Sequence, residues 1–299
     1  VPYIIENAII RKENRIVENT MMVNESRIVS LFQSAQKSAL MKMDASPYVM
    51  TPTFAVLDTG FAQTESYLEL KDYFINHFLS KGCSILLTYV KVTSEKEIDV
   101  QLKLHKNLLI NSPIDYVIGI RISAKQLTAA IIRKCKKDKL PAIFIEIGEK
   151  EDLDKVPWGW IREAMFPYNC PLIPVLDKVP PKKRSSILLE WHDRMKAERI
   201  PSLPQEICEN IPLSLSVLNK IGLLPERAGL LHGGELSYNL YEKDEKILNV
   251  DTKDLFLYHK ERLLVTVHKG KVVMAGKNVL YKPGYGEHIN VTTPSYFSY

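Results

Sequence analysis

Five charged residues stand at or near the ends of short apolar runs. Asp58 closes TFAVLD, Lys91 follows CSILLTYV, Arg121 lies in DYVIGIRI, Glu146 in AIFIEIG, and Asp177 closes PLIPVLD. Runs of this kind read as buried parallel strands, whose last residues share a common rim where ligands bind. Asp58, Glu146 and Asp177 are the candidate catalytic carboxylates, suited to acid–base work. Lys91 and Arg121 are the candidate ligand-binding cations, suited to a small anion or amide. The plainer reading, which we favour, is that these charges pair with one another and close the rim, because strand ends are polar in almost any α/β protein.

Hydropathy gives the secondary structure that carries these residues. Between the five apolar runs lie SYLELKDYFINHFLSKG, SEKEIDVQLKLHKNLLINS, SAKQLTAAIIRKCKKDK and EDLDKVPWGWIREAMF, each with apolar residues at helical spacing. Ser94 and Ser123 are expected N-caps, and Glu97 completes a capping box with Ser94. Five β–α units make a parallel layer; a closed eight-unit barrel takes about 250 residues. After KVPPKKRS come two expected helices, SSILLEWHDRMKAERI and IPSLPQEICENIPLSLSVLNKIGLLPE, the second broken near Pro212. The ends of the chain read as β. AIIRKENRIVENTMMVNESRIVSLFQ alternates around two polar turns, and ERLLVTVHKGKVVMAGKNVLYK is a hairpin about Lys269-Gly270. The expected organisation is a composite β-sandwich from residues 1–50 and 228–299 and a β/α domain over 51–227.

Composition narrows the function classes. The chain has 299 residues, 45% hydrophobic and 25% charged, with a net charge of +5. The basic runs RKCKKDK and KKR lack interleaved aromatics, so nucleic acid is not an expected partner and only a weak reading gives Lys182–Arg184 that role. Cys83, Cys135, Cys170 and Cys208 form no C-x-x-C pair, so neither a zinc site nor a disulfide framework is expected and a cytoplasmic location fits. No apolar run approaches the roughly 20 residues of a membrane helix. Trp158, Trp160, Trp191 and Tyr168 serve either a binding surface or core packing. Lys282-Pro-Gly-Tyr-Gly286 lacks the context of a phosphate loop.

RIVENTMMVNESRIVSLFQ, MDASPYVMTPTFAVLD, LNKIGLLPERAGLLHGGELSYNLYE and LLVTVHKGKVVMAGKNV together resemble the amidohydrolase superfamily, in its dihydroorotase and hydantoinase branch. The resemblance implies a β-sandwich beside a TIM-like (β/α) barrel holding one or two metal ions. It also implies a His-x-His pair at the end of the first barrel strand, which falls here on Asp58 and Gly60. The bridging lysine of the fourth strand is absent from Ala142–Glu146, and the fifth strand ends in Leu176-Asp177 rather than histidine. None of the seven histidines closes a barrel strand.

The expectation is therefore a mixed α/β protein with a reduced or distorted TIM-like barrel and a sandwich built from both termini. Its expected function is a non-catalytic, amidohydrolase-like binding or regulatory scaffold with no metal and no cofactor. The alternative is a hydrolase of a cyclic amide or other non-peptide C–N bond with a rearranged site on Asp58, Glu146 and Asp177. Truncation of a barrel uncovers strand edges or helix faces, so at least one late helix is expected to cap the gap. A homodimer or a protein partner is expected to cover what remains, and a small molecule could occupy the strand-end mouth.

Overall fold

A computed structural model describes residues 1–13, 15–33 and 39–291. The chain is mixed α/β, with one nine-stranded, mostly antiparallel sheet and one five-stranded, curled parallel sheet that makes a half-barrel.

The nine-stranded sheet draws on both ends of the chain. Strands β1 (Tyr3–Lys12), β2 (Arg15–Asn24) and β3 (Arg27–Phe32) form an antiparallel meander. Glu13 and Glu25 take positive φ at its two turns, the conformation a tight hairpin requires. Strands β4 (Met41–Asp44) and β5 (Tyr48–Pro52) run parallel to β1, β4 pairing with Tyr3–Glu6 and β5 with Ile9 and Ile10. Much later in the chain, β11 (Tyr238–Glu242) adds antiparallel to β5, followed by β12 (Leu263–His268), β13 (Lys271–Ala275) and β14 (Asn278–Val279). The Lys269-Gly270 turn has positive φ at both residues, as the sequence predicts. Ile5, Ala8, Ile10, Met21, Val23 and Leu240 fill one apolar layer on this sheet.

The five apolar runs of the middle region are the parallel strands β6 (Phe54–Leu57), β7 (Cys83–Lys91), β8 (Asp115–Ser123), β9 (Ile143–Glu146) and β10 (Leu172–Val175), in that spatial order. Helices α1 (Tyr67–His77), α2 (Glu95–Leu108), α3 (Ala129–Lys137) and α4 (Trp158–Met165) connect them. Side chains alternate across this sheet beyond an irregularity at the start of β7, where Cys83 and Leu86 share one side. Val56, Leu86, Ile118, Ile120 and Ile145 pack toward the helices, whereas Ala55, Leu57, Ile85, Leu87, Val117, Phe144 and Ile173 pack inside the curl. Ser66 and Thr128 cap α1 and α3. Ser94 stands at the N-cap of α2 without a side-chain bond to it, and Glu97 instead binds Thr93. The expected cap at Ser123 is displaced, because β8 runs through Ser123 and a short 3-10 turn separates it from α3.

Beyond α5 (Pro181–Ala197), the chain departs from the expectation of a second long helix. Only α6 (Leu215–Lys220) is helical there, and residues 201–213 are not. Pro201, Pro204 and Pro212 remove backbone donors that a helix would need. The stretch instead bonds to both free edges of the parallel sheet. Leu172 donates to Pro201 O and accepts from Leu203, each at 2.9 Å, while Asn210 donates to Leu57 O at 2.9 Å and Leu213 to Ala55 O at 2.8 Å. One extended segment thus joins the β10 edge to the β6 edge, and Leu203, Leu213, Leu218 and Ile221 fill the interior behind it. Helix α5 packs outside, with Trp191 buried and its indole N–H donating to Leu203 O at 2.8 Å.

The C-terminal stretch completes the interior. Tyr116 donates to Glu287 O at 3.0 Å and accepts from Ile289 at 2.9 Å, beside the part of β8 that precedes the first β9 pair, so Ile289 and Val291 enter the inner layer. Gly286 makes the approach possible, since a Cβ there would collide with Ile114 O. Two later helices, α7 (Glu245–Leu248) and α8 (Thr252–Tyr258), pack Ile247, Leu255 and Phe256 into the helix-facing core. No helix among the described residues is long and apolar enough to cross a membrane.

Candidate functional site

The alternation that fills the half-barrel also decides what its strand ends present. Tyr89, Arg121 and Glu146 continue the inward series Leu87, Val117 and Phe144, so they meet above the apolar interior. Arg121 is 6% exposed and organises the rim. Its Nε donates to Glu146 Oε1 at 2.8 Å, one terminal nitrogen reaches Glu146 Oε1 at 2.5 Å and Asp177 Oδ2 at 2.8 Å, and the other donates to the Tyr89 hydroxyl at 2.9 Å. Lys178 adds a second cation 3.2 Å from Glu146 Oε2. Burial would raise the Glu146 carboxyl, but Lys178 and Arg121 together hold it below the usual carboxylate range. Burial would lower the guanidinium of Arg121, yet its bonds to Tyr89, Asp177 and Glu146 raise it.

Three of the five candidates are therefore brought together, and two are not. Asp58 shares the parity of Phe54 and Val56, which face the helices. Its carboxylate accepts from the Gly60 N–H at 2.9 Å and from the Tyr73 hydroxyl of α1 at 2.9 and 3.0 Å, and it is fully buried. Burial and the Asp58 charge together raise the Tyr73 phenol well above its ordinary value. Asp58 thus turns the chain out of β6 and ties it to α1. Lys91 ends β7 exposed. Beside Arg121 the rim opens into a cleft of about 150 Å³, bordered by Ser123, Lys125, Asp152 and Lys178. Asp152 reaches it from a short 3-10 turn, its Oδ2 accepting from Gly148 and Glu149 and its Oδ1 3.2 Å from Lys125.

A second charged group lies at the opposite end of β8 and escaped the sequence reading. Asp115, fully buried, accepts from Arg227 at 2.9 Å, from Lys269 at 2.6 Å and from the Glu287 N–H at 2.9 Å. Arg227 also binds Glu235 and Glu287. His268 Nε2 stands 3.6 Å from Asp115 Oδ1, too long for a hydrogen bond, and Nδ1 stands 3.8 Å from Glu235. Burial opposes the Asp115 charge, but His268 and Lys269 hold its carboxyl below the usual range. Asp115, Glu235 and His268 bring one ligand atom each within 4.8 Å of one another, the one group among the described residues with metal-ligand chemistry of that kind. Arg227 and Lys269 already neutralise its carboxylates, so a divalent ion would have to displace both. The group reads as a clamp joining β8, β12 and the C-terminal stretch.

Core packing is what Trp158 and Trp191 do, while Trp160 is exposed. Trp158 is buried, donates to Leu153 O at 2.8 Å and meets Trp191 edge-on at 6.2 Å, whereas Trp160 is 62% exposed. All four cysteines are free, and Cys83, Cys135 and Cys170 are buried.

Comparison with known proteins places the fold. No protein-family model matches the chain, and no curated protein does. Among solved structures, a dihydropyrimidinase from Brevibacillus agri matches with a TM-score of 0.62 at 10% identity, covering 98% of this chain and 99% of that one. A D-hydantoinase from a Bacillus species matches with 0.62 at 10% identity, over 97% and 99%. An L-hydantoinase from Arthrobacter aurescens matches with 0.55 at 11% identity, over 96% and 99%. The fold resembles that of these hydantoinases and this dihydropyrimidinase, and at these identities the likeness speaks for the fold alone.

Proposed function

We propose that this chain is a non-catalytic, amidohydrolase-like binding or regulatory protein, with a distorted TIM-like barrel and a composite β-sandwich, acting in the cytoplasm. One observation carries the reading. At the strand ends where this fold would carry its metal, the guanidinium of Arg121 lies between Glu146 and Asp177. The metal implied by the resemblance does not fit those residues. It needs neutral imidazoles that leave a coordination position open for an activated water, whereas the donors at this rim are two carboxylates already satisfied by cations. Asp58 supplies no third donor, because its oxygens serve Gly60 and Tyr73.

The alternative, hydrolysis of a cyclic amide by a rearranged site, has its own support. The cleft beside Arg121 and Glu146 opens to solvent and sets an exposed ammonium, that of Lys178, next to the Glu146 carboxylate, a pairing that suits a ureide such as hydantoin or a dihydropyrimidine. Purified protein incubated with each of these compounds, with and without zinc or manganese, separates the two readings. The binding reading expects no ring opening above the buffer rate and no saturable, stoichiometric metal stabilisation. Specific metal at 100 times its dissociation constant would add about 2.7 kcal/mol. Turnover abolished by Glu146→Gln would establish the hydrolase.

A further inference from the structure

Away from both charged groups, where β6 begins, a cavity of about 160 Å³ opens between the first hairpin and the stretch leading through α6. Its wall is mainly apolar: Phe54, Leu213, Leu218, Leu224 and Leu230 border it. Its charged lining is lopsided. Arg11, Lys12 and Arg15 face a single carboxylate, Glu13, whose Oε1 is engaged by the Leu215 N–H at 2.6 Å.

Arg11 is the telling residue. It is 6% exposed, its one hydrogen bond among the described residues is a 3.2 Å donation to Leu248 O, and its Nε has no partner. Lys12 makes only a long, 3.4 Å contact to Leu230 O. Neither cation has an ion pair among the described residues. A guanidinium on a side chain this buried, with one carbonyl partner and a partnerless Nε, is costly unless an anion completes it. Burial and the neighbouring Arg15 push the Lys12 ammonium below its ordinary range, which marks an excess of positive charge at the same rim.

We propose that this cavity binds a small apolar monocarboxylate, its ring or branched chain against Phe54, Leu213, Leu218 and Leu230 and its carboxylate on Arg11. The size agrees, since an apolar protein cavity of about 150 Å³ takes up benzene. Charge decides the rest. A neutral guest could offer the Arg11 Nε only an uncharged acceptor, and a cationic one would add to the positive charge already there. A charge-assisted bond to a buried guanidinium outweighs a neutral one by about 1.4 kcal/mol or more, that is, about tenfold in affinity. The inference is independent of how the strand-end mouth is read, because the two sites share no residue.

Isothermal titration of the full chain with sodium benzoate, benzamide and benzylammonium chloride tests it. The expected result is saturable, one-site binding of benzoate, weaker by about tenfold or more for benzamide and absent for benzylammonium. Arg11→Gln should weaken benzoate by about the same factor while leaving the response to benzamide unchanged. Leu218→Trp, which fills the apolar end, should abolish both. Equal binding of benzoate and benzamide, no saturation by about 10 mM benzoate, or unaltered benzoate binding by a folded Arg11→Gln protein would each overturn the proposal. Should Arg11→Gln fail to fold, the wild-type ratio of benzoate to benzamide still decides.

Discussion

Asp115 and Arg121 stand at opposite ends of one strand, β8, and each is the buried centre of its own ion network. The charges are reversed between the two ends. A carboxylate surrounded by Arg227 and Lys269 anchors the start of the strand, and a guanidinium surrounded by Glu146 and Asp177 closes its finish. Between them every residue of the strand is buried. The middle strand of the half-barrel is thus pinned at both ends, with its inward apolar side chains held in register.

Arg121→Met should destabilise the protein by about 2 kcal/mol. Removing one partner of a buried pair costs about 3–5 kcal/mol, and the exposure of Asp177, at 60%, reduces that figure. Arg121→Met combined with Glu146→Leu should recover most of the loss, because the charges then left unpaired, Asp177 and Lys178, are exposed. Urea denaturation midpoints, with the slope unchanged, measure both effects. A single variant as stable as the parent would refute the buried-centre account.

Stability should fall as the pH drops from about 6.5 to about 4. Burial lowers His105 to about 4, and burial with the nearby Lys106 lowers His288 to about 4. Above the ordinary histidine range both rings are neutral whether folded or not. Within the window the unfolded chain takes up protons that the folded chain refuses, so unfolding gains. Below about 4 these two groups contribute no further slope. Melting temperatures at steps through the window check this, and His105→Gln should flatten the curve. His105 also bonds Thr88 at 3.2 Å, so the variant is compared by slope rather than by absolute stability.

We propose that the two ends of the chain fold as one unit, over residues 1–50 and 228–299. β11 pairs with β5, β5 with β1, and the Gly270 N–H donates to Leu236 O beside the β2–β3 turn. Deleting residues 270–299 should therefore strip hydrogen-exchange protection from β1 and β2 as well as from β12. Persistent protection of β1 and β2 would show that the N-terminal strands stand alone.

We also propose a homodimer. The extended segment 201–213 bonds to both edges of the parallel sheet, so any contact between copies through that sheet would use side-chain faces and not strand addition. Light scattering at micromolar concentration should give twice the 34.2 kDa chain mass. A single-chain mass that does not change on concentration would end the proposal.

The strands, the connecting helices and the meeting of Arg121, Glu146 and Asp177 were legible because parallel strands write themselves as apolar runs and deliver their ends to one rim. Asp58 was less so. Its neighbours Thr59 and Gly60 spell a turn that its own carboxylate accepts from, a local signal that outweighs position at a strand end. The clamp at Asp115 could not be read, since its members come from four separate stretches and only the tertiary fold brings them within bonding distance. Residues 201–213 read as helix, and the prolines at 201, 204 and 212 were the local signal against it. The segment's role lies in backbone groups paired across the sheet, which leave no mark on side-chain type.

The order of synthesis gives the extended segment a further significance. β6 is complete at Leu57 and β10 at Val175, but the backbone that pairs with their outer edges extends to Leu213. At about 5–20 residues per second, the ribosome needs roughly 8–30 s to pass from the first of these to the last. Throughout that interval the nascent chain displays apolar strands with open amide ladders, the arrangement most prone to capture by another chain. Demand for a chaperone should therefore peak before residue 213 emerges and drop once it does.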